Sequence, residues 1–169
     1  MMKQLDVCSN CDNEAVRVRG SYQFKESGLK NVVLQGIELI RCKKCGNEDP
    51  VIPRLNALMR VMVRGVISKP YRLTGHEVRF LRKFLRMTGE QFSHLMHIDK
   101  TTLSKWENDE QPIGPQSDLL IRALILVLGL KETQKDQAAI IQEDFPGIHN
   151  SVHDVGIEID PSNMTYQYA

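Results

Sequence analysis

All four cysteines of the chain stand in two Cys-x-x-Cys pairs, Cys8 with Cys11 and Cys42 with Cys45. Each pair can turn two thiolates toward one tetrahedral ion, and two pairs complete a closed structural zinc site. A redox dithiol and an iron site are competing interpretations, but a redox motif needs no second copy. The spacing therefore predicts one structural Zn²⁺ ion per chain, with no coordination position open for catalysis.

Between the two pairs, apolar residues alternate with polar ones, as they do in half-buried strands. Turn signals near Gly20 and at Ser27-Gly28 predict a three-stranded antiparallel sheet. A unit of about fifty residues is close to the size at which the hydrophobic core alone does not stabilise a domain. The predicted zinc ion provides the additional cross-link. Pro50 and Pro53 mark the end of this unit.

The stretch from Met87 to Asn108 predicts two short helices joined by a tight turn. Thr88 and Gln91 have the spacing of a capping box, and Asp99 can cap the second helix. Leu103 and Trp106 recur on its inner side, so short hydroxyls and cations face outward. Such side chains suit contacts with base edges and phosphates, and we predict DNA binding by Lys100, Thr101, Thr102, Ser104, Lys105, Thr88 and Gln91.

Charge is unevenly distributed although the net charge is only +1. Residues 51–110 hold 11 Lys and Arg against 6 Asp and Glu, whereas residues 111–169 hold 3 against 8. A basic block around the two short helices is typical of a DNA-binding surface, although a solvated helix face has the same composition.

Two further helices are predicted before this stretch, over 54–67 and after Thr74, which has Glu77 three residues on. We expect the second helix to turn four cations outward: Arg79, Arg82, Lys83 and Arg86.

Gly114-Pro115 opens a further helix whose run from Leu119 to Leu128 is apolar on nearly all sides. A small domain can hardly bury such a helix alone, so we predict a homodimer interface that includes Leu120, Leu124 and Val127. Coverage by the 54–67 helix and the C-terminal segment is the alternative. The run is too short for a membrane span, which needs about 20 residues, and no apolar leader is seen, so we expect no membrane contact and a cytoplasmic location.

After Gly129 the sequence predicts a polar helix over 131–144, a break at Phe145-Pro146-Gly147 and an edge strand over 155–160. His149 and His153 are four residues apart, and we interpret them as a surface pair rather than a metal site. The pattern leaves open whether this acidic extension braces a dimer, binds a partner or is loose.

The helical stretch resembles the helix-turn-helix of the Xre/Cro family of regulators, over residues 73–128. The resemblance rests on Met-Thr-Gly-Glu-Gln-Phe-Ser at 87–93 and Leu-Ser-Lys-Trp-Glu-Asn at 103–108. Gly89 stands where that family usually has Gln, and His97 stands where it usually has Gly at the turn. The resemblance implies that the base-reading chemistry rests on Thr101, Thr102 and Lys105.

Together with the cysteine pairs and the segment from Val32 to Cys45, the chain resembles the MqsA/YgiT-type antitoxins over residues 5–130. That resemblance implies a zinc domain that neutralises a small toxin protein, and a helical dimer that represses its own operon by binding a palindromic operator. Thr101 and Lys105 stand where that family reads bases with Asn and Arg, so the operator should differ.

We therefore predict an α+β protein with a small N-terminal zinc-bound antiparallel sheet followed by an all-α five-helix Xre-type domain. The predicted division is a zinc-binding domain, a helical connector, a DNA-binding and dimerisation domain and an acidic extension, at 1–50, 51–70, 71–130 and 131–169. The predicted function is an antitoxin-type transcriptional repressor, and the alternative is a stand-alone zinc-containing regulator without a toxin. No catalytic set of residues is present, so no enzyme activity is expected.

Overall fold

The computed structural model describes residues 6–130 and 132–169 and has a mixed α+β fold. Two long strands, β2 (Glu14–Gln23) and β3 (Val32–Cys42), form the hairpin on which the rest of the sheet is built. The shorter strands are β1 (Asp6–Val7), β4 (Glu48–Pro50), β7 (Ile157–Asp160) and β8 (Thr165–Tyr168). The strand order is β1-β2-β3-β7-β8, and β4 also pairs with β3. The sheet is therefore larger than the predicted three strands.

The predicted turn near Gly20 is wrong, because β2 runs through this residue. The pairing of β2 with β3 instead shifts register between Gly20 and Tyr22, and the strand continues past the glycine. The second predicted turn is confirmed: residues Lys25–Ser27 form a 3-10 turn that ends at Gly28, whose φ is 85°. A left-handed conformation of this kind favours glycine.

Six helices follow or flank the sheet: α1 (Leu55–Ile67), α2 (Gly75–Phe84), α3 (Gly89–Leu95), α4 (Lys100–Glu107), α5 (Pro115–Leu128) and α6 (Gln134–Glu143). The predicted helix starts at Thr74, Thr88 and Gly114 are confirmed, and both threonines form complete capping boxes. Only α2 to α5 lie within residues 71–130, so a five-helix Xre-type domain is not confirmed. Among the helices of the described residues, none combines the length and the hydropathy needed to cross a membrane.

The C-terminal segment is a structural part of the sheet rather than a loose extension. Strand β7 pairs in parallel with β3, matching Val32 with Ile157 and Leu34 with Ile159. All four of these side chains are fully buried. β7 also pairs with β8, so it is an internal strand and not the predicted edge strand. Upstream, β6 (His149–Val152) pairs with β5 (Tyr71–Arg72), just before α2.

Two buried ion pairs fix the segment that connects α1 to α2. The Arg122 guanidinium donates to Asp118 at 2.7 Å and to the carbonyl oxygens of Ile67, Lys69 and Tyr71. The Lys69 ammonium donates to Glu77 at 2.5 Å and to the His153 carbonyl oxygen at 2.8 Å. Because these four side chains are almost completely buried, each charge depends on its partner for compensation.

Gly75 allows the start of α2 to lie directly against the end of α4. A Cβ atom at this position would lie 2.2 Å from the Trp106 carbonyl oxygen and 2.8 Å from an Asp109 carboxylate oxygen. The Gly75 N–H donates to the same carboxylate at 2.6 Å. The nearer of the two contacts is to the Trp106 backbone, which cannot rotate away, so it sets the position of α4.

We expect Gly75→Ala to lower the free energy of unfolding by about 1–3 kcal/mol, because the methyl group forces α2 and α4 apart. Urea unfolding followed by circular dichroism measures the change. Gly114→Ala is the matched control, since Gly114 also lies at the start of a helix, as the N-cap of α5, but a methyl group added to it would have no neighbouring atom within 4 Å. Equal stability of the Gly75 and Gly114 variants would contradict the close approach.

Candidate metal centre and nucleic-acid interface

The four cysteine sulfurs converge on one point at the end of the β2–β3 hairpin. All four Sγ atoms lie within 4.8 Å of one another, and three of the separations are 3.5–3.6 Å. Four thiolates around a zinc ion, with Zn–S bonds of about 2.3 Å, are separated from one another by roughly 3.8 Å. The predicted ligands Cys8, Cys11, Cys42 and Cys45 are thus brought together and can hold a metal ion.

The two cysteine pairs adopt the same backbone turn. The N–H groups of Cys8 and Cys42 donate to the carbonyl oxygens of Asn13 and Asn47, each at 2.9 Å. In each turn the residue after the second cysteine is left-handed, with φ of 56° at Asp12 and 74° at Gly46. Asp and Gly tolerate this conformation better than most residues do. Local sequence therefore specifies both turns independently of the distant sheet partners.

Hydrogen bonds favour the thiolate form at Cys45, whereas at Cys8 the Asn10 N–H lowers the pKa but burial and the neighbouring thiols outweigh it and raise the pKa to about 11. The Asn47 N–H and the neighbouring Cys11 thiol lower the pKa of Cys45 to about 6. The Asn10 N–H donates to the Cys8 sulfur at 3.4 Å, and the Asn13 side chain donates to the Cys11 sulfur at 3.3 Å. Donors of this kind stabilise negative charge on the ligands and orient them.

Helices α3 and α4 form the predicted pair of short helices, with a four-residue connection, 96–99. Thr88 Oγ1 accepts the Gln91 N–H at 3.2 Å, and Gln91 Oε1 accepts the Thr88 N–H at 2.9 Å. His97 occupies the turn with φ of 51°, a left-handed conformation that favours glycine. Asp99 lies at the N-cap of α4 as predicted, but its side chain makes no capping hydrogen bond.

Leu103 and Trp106 are buried against the rest of the helical region, which leaves the opposite side of α4 in solvent. Lys100, Thr101, Ser104 and Lys105 are exposed, and Thr102 is half-buried. At the start of α3, Thr88 and Gln91 are also exposed, although their side chains are engaged in the capping box. Lys100 donates to Glu90 on α3 at 2.7 Å, so its ammonium is bound within the chain in this structure.

The outward cationic face predicted for α2 is wrong for Arg82, whereas Arg79 is engaged in an ion pair but keeps a side chain that is 38% exposed. Arg82 is only 13% exposed and donates to both carboxylate oxygens of Glu107 on α4, at 2.6 and 2.9 Å. Arg79 also donates to Glu107, and to the Asn108 side chain at 2.7 Å. These arginines hold α4 against α2. Lys83 is exposed on α2, and Arg86, which is also exposed, lies beyond the end of the helix with a φ of 58°.

Burial would raise the pKa of Glu107, but hydrogen bonds and charge from Arg82 and then Arg79 outweigh it and hold the pKa below its usual 4.5. A carboxylate with a lowered pKa stabilises the fold above its unfolded pKa, and this contribution is lost as the pH falls through the folded pKa.

We therefore expect the free energy of unfolding to decline as the pH is lowered below about 4.5, more steeply for the wild type than for Glu107→Gln. Urea titrations of both chains between pH 3 and 7 measure the two slopes, which should differ by at most about one proton. Identical slopes would mean that the arginines do not act on Glu107.

The apolar helix α5 is buried on one side and open on the other. Ile121, Ile125 and Leu126 lie in the core, whereas Leu120 is 45% and Val127 59% exposed. Leu124 is half-buried between the two sides, and Leu119 and Leu128 extend the exposed surface. The predicted interface residues therefore lie together on a surface that α1 and α6 of the same chain leave open.

Some polar residues that organise this region were not predicted from the sequence. Arg122 interrupts an apolar run, and Asp118 four residues earlier is the signal that could have identified an ion pair along the helix. His149 and His153 do not join a metal cluster in the described residues. Both rings instead pack on Tyr71, with centroid distances of 5.3 and 4.6 Å.

No protein-family model, no curated protein and no solved structure matches this chain.

Proposed function

We propose that the chain is a sequence-specific DNA-binding transcriptional repressor of antitoxin type, in which α4 enters the major groove. The observation that carries this proposal is the two-sided character of α4. Its inner side is anchored by Leu103, Trp106 and the Glu107 ion pairs, and its outer side carries solvent-exposed hydroxyls and cations. A rigidly held helix with such an outer surface can reach base edges and phosphates.

Within this proposal, Thr101, Thr102 and Lys105 read bases, while Ser104, Lys100, Thr88 and Gln91 contact the backbone or neighbouring bases. Lysine can reach guanine O6 or N7 but lacks the two-pronged donor geometry of arginine. Lys100 must exchange its ion pair with Glu90 for a phosphate. Because both residues are exposed, that exchange costs little.

The proposed cofactor is one structural Zn²⁺ ion held by the four cysteines. Two buried thiols, Cys8 and Cys42, form with Ala15 a small apolar cluster of their own. A cluster this small needs a further source of stability, and an ion bound by four thiolates provides one. A set of four protein ligands leaves no position for a substrate, so we propose a structural and not a catalytic site.

We propose that the protein acts as a homodimer joined through the exposed side of α5. Leu120, Leu124 and Val127 recur at helical spacing on that side, and a second copy would remove them from water. A two-fold dimer presents two recognition helices, which read half-sites about 34 Å apart in a palindromic operator.

The antitoxin role assigns a small toxin protein to the zinc-bound region, and a stand-alone regulator is the second candidate. One observation favours the second. Strand β7 of the same chain pairs with β3 at Val32–Leu34, and β4 pairs with it at Leu39–Arg41. A partner strand therefore finds little of that edge open for pairing.

Co-purification from the native host followed by intact-complex mass spectrometry separates the two candidates. Two chains, two zinc ions and two copies of a small protein support the antitoxin role, and the same dimer without a partner supports the alternative.

The base-reading role is tested by Lys105→Ala on duplexes selected by the wild-type chain from random DNA. We expect a loss of about 1–3 kcal/mol on the selected duplex and a much smaller loss on random DNA. Fluorescence anisotropy at fixed salt measures both affinities, and Lys135→Ala, an exposed lysine on α6, is the control. Equal losses on the two duplexes would mean that Lys105 contacts only phosphate.

A further inference from the structure

Two adjoining cavities form a groove between the β2–β3 turn, α1 and α2. The first, of about 370 Å³, is lined mainly by Phe24, Pro50, Ile52, Leu55 and Met59. The second, of about 250 Å³, lies beside α2. Glu26, Ser27 and Met59 line both cavities, so the two lie side by side. We call the pair the interdomain groove.

The interdomain groove has an apolar end and a cationic end. At the apolar end, Leu55 is 49% exposed, which is unusual for a leucine on a helix whose other large apolar residues are buried or half-buried. At the α2 end, Phe80 and Phe84 accompany His76, Arg79 and Lys83. Lys83 is exposed and has no ion-pair partner among the described residues. An apolar trough that leads to two cations is complementary to an apolar tail with an anionic head.

One acidic residue narrows the class of ligand. Glu26 lines both cavities, and its carboxylate accepts the Tyr22 hydroxyl at 2.6 Å. A second negative charge on a ligand would lie near this carboxylate and be repelled, whereas an aliphatic chain would not. The lining therefore suits a single anionic group near Lys83 and Arg79, with an uncharged aliphatic body extending toward Leu55.

We propose that the interdomain groove binds a small amphipathic monocarboxylate, such as a medium-chain fatty acid. The cavity beside Leu55 alone falls within the range of about 300–1,000 Å³ that is typical of small-molecule sites, and its lining is mostly apolar with few polar groups. The ligand carboxylate pairs with Lys83 and with Arg79, and the aliphatic chain covers Leu55 and Met59.

Arg79 connects this site to α4, because its guanidinium also bonds Glu107 and Asn108. A carboxylate that recruits Arg79 competes with those bonds and loosens the contact between α2 and α4. This step rests on the proposed DNA-binding function: occupancy of the groove then weakens DNA binding.

Binding is tested first without DNA, on the full chain with ¹³C-methyl-labelled methionines and with decanoate as the probe. We expect the Met59 methyl resonance to shift saturably, while that of Met164, which lies in the β7–β8 turn and lines neither cavity, stays in place. Decanol, which has no charge, and decylammonium, which has the opposite charge, should bind several-fold more weakly. Equal affinity for the three probes, or no saturable shift of Met59, would overturn the proposal.

Substitutions of exposed lining residues then test which end of the groove binds the aliphatic chain and which end binds the carboxylate. We expect Leu55→Asp to weaken decanoate binding by roughly tenfold through loss of apolar contact, and Lys83→Gln by roughly three- to fivefold. Lys135→Gln removes an exposed lysine elsewhere and should leave the affinity unchanged. A Lys83→Gln variant that binds like the Lys135→Gln control would overturn the assignment of the carboxylate.

Measurements of DNA binding distinguish a failure of the proposed ligand site from a failure of the proposed DNA-binding function. At a decanoate concentration that largely fills the wild-type site but leaves most of the Leu55→Asp chains unoccupied, duplex binding should weaken for the wild type and change much less for the variant. An unchanged affinity of the wild type overturns the coupling through Arg79. A chain that binds decanoate at Met59 but binds no duplex would contradict the proposed function and leave the ligand site in place.

Discussion

Replacing Cys42 by serine is expected to abolish tight metal binding and to unfold the cysteine end of the β2–β3 hairpin. Structural zinc in small domains binds with an apparent free energy of about 10–16 kcal/mol near neutral pH, and the share that supports folding is lost with the ligand. The far end of the hairpin should persist, because Val32 and Leu34 are buried in the main core and paired with β7.

Metal content by mass spectrometry and backbone hydrogen exchange measure these two effects. We expect one zinc ion per wild-type chain and less than one per variant, with faster exchange at residues 14–20 and 37–42 but not at 32–34. Ser9→Ala is the control, since Ser9 lies between Cys8 and Cys11 at the same four-cysteine site and bonds Asp49 without touching a sulfur. A Cys42→Ser chain with wild-type protection throughout would show that no ion supports the hairpin.

Replacing Arg122 by methionine is expected to lower the free energy of unfolding by about 3–5 kcal/mol. Methionine fills much of the volume but leaves the buried Asp118 carboxylate without its cation and three carbonyl oxygens without their donor. Asp118 also accepts the Leu73 N–H at 2.6 Å, so the damage extends to the segment that leads into α2.

A double-mutant cycle with Asp118→Asn measures the coupling, using urea unfolding at pH 7. The double variant should be more stable than the sum of the single losses predicts, because the lone buried charge is gone. Lys135→Met, at an exposed site on α6, controls for the loss of a positive charge as such. Additive losses would show that Arg122 and Asp118 do not act as a pair.

Local chemistry explains which features could be predicted from the sequence. The cysteine turns and the capping boxes at Thr74 and Thr88 each depend on residues within six positions of one another, so their spacing alone specifies them. The convergence of the four sulfurs was also predictable, because two Cys-x-x-Cys pairs in one small unit have few uses other than holding one ion.

Long-range pairing explains most of what the sequence did not reveal. The alternation of residues 155–160 predicts a strand but does not say that its partner is Val32–Leu34, more than a hundred positions earlier. In the same way, the helical period places Arg79 and Arg82 outside, but it cannot anticipate that Glu107 would bind them. Which strand or side chain pairs with which is determined by tertiary packing, and the local periodicity of apolar residues does not encode it.

The claim that the chain reads a DNA sequence is tested most directly by in vitro selection. Purified wild-type protein would be incubated with random duplexes at physiological salt, and bound DNA would be amplified, sequenced and then examined with the protein by intact-complex mass spectrometry. We expect an enriched palindrome whose half-sites are about one helical turn apart, bound by two chains. Recovery of DNA without any enriched sequence, or no recovery at all, would contradict sequence-specific DNA binding.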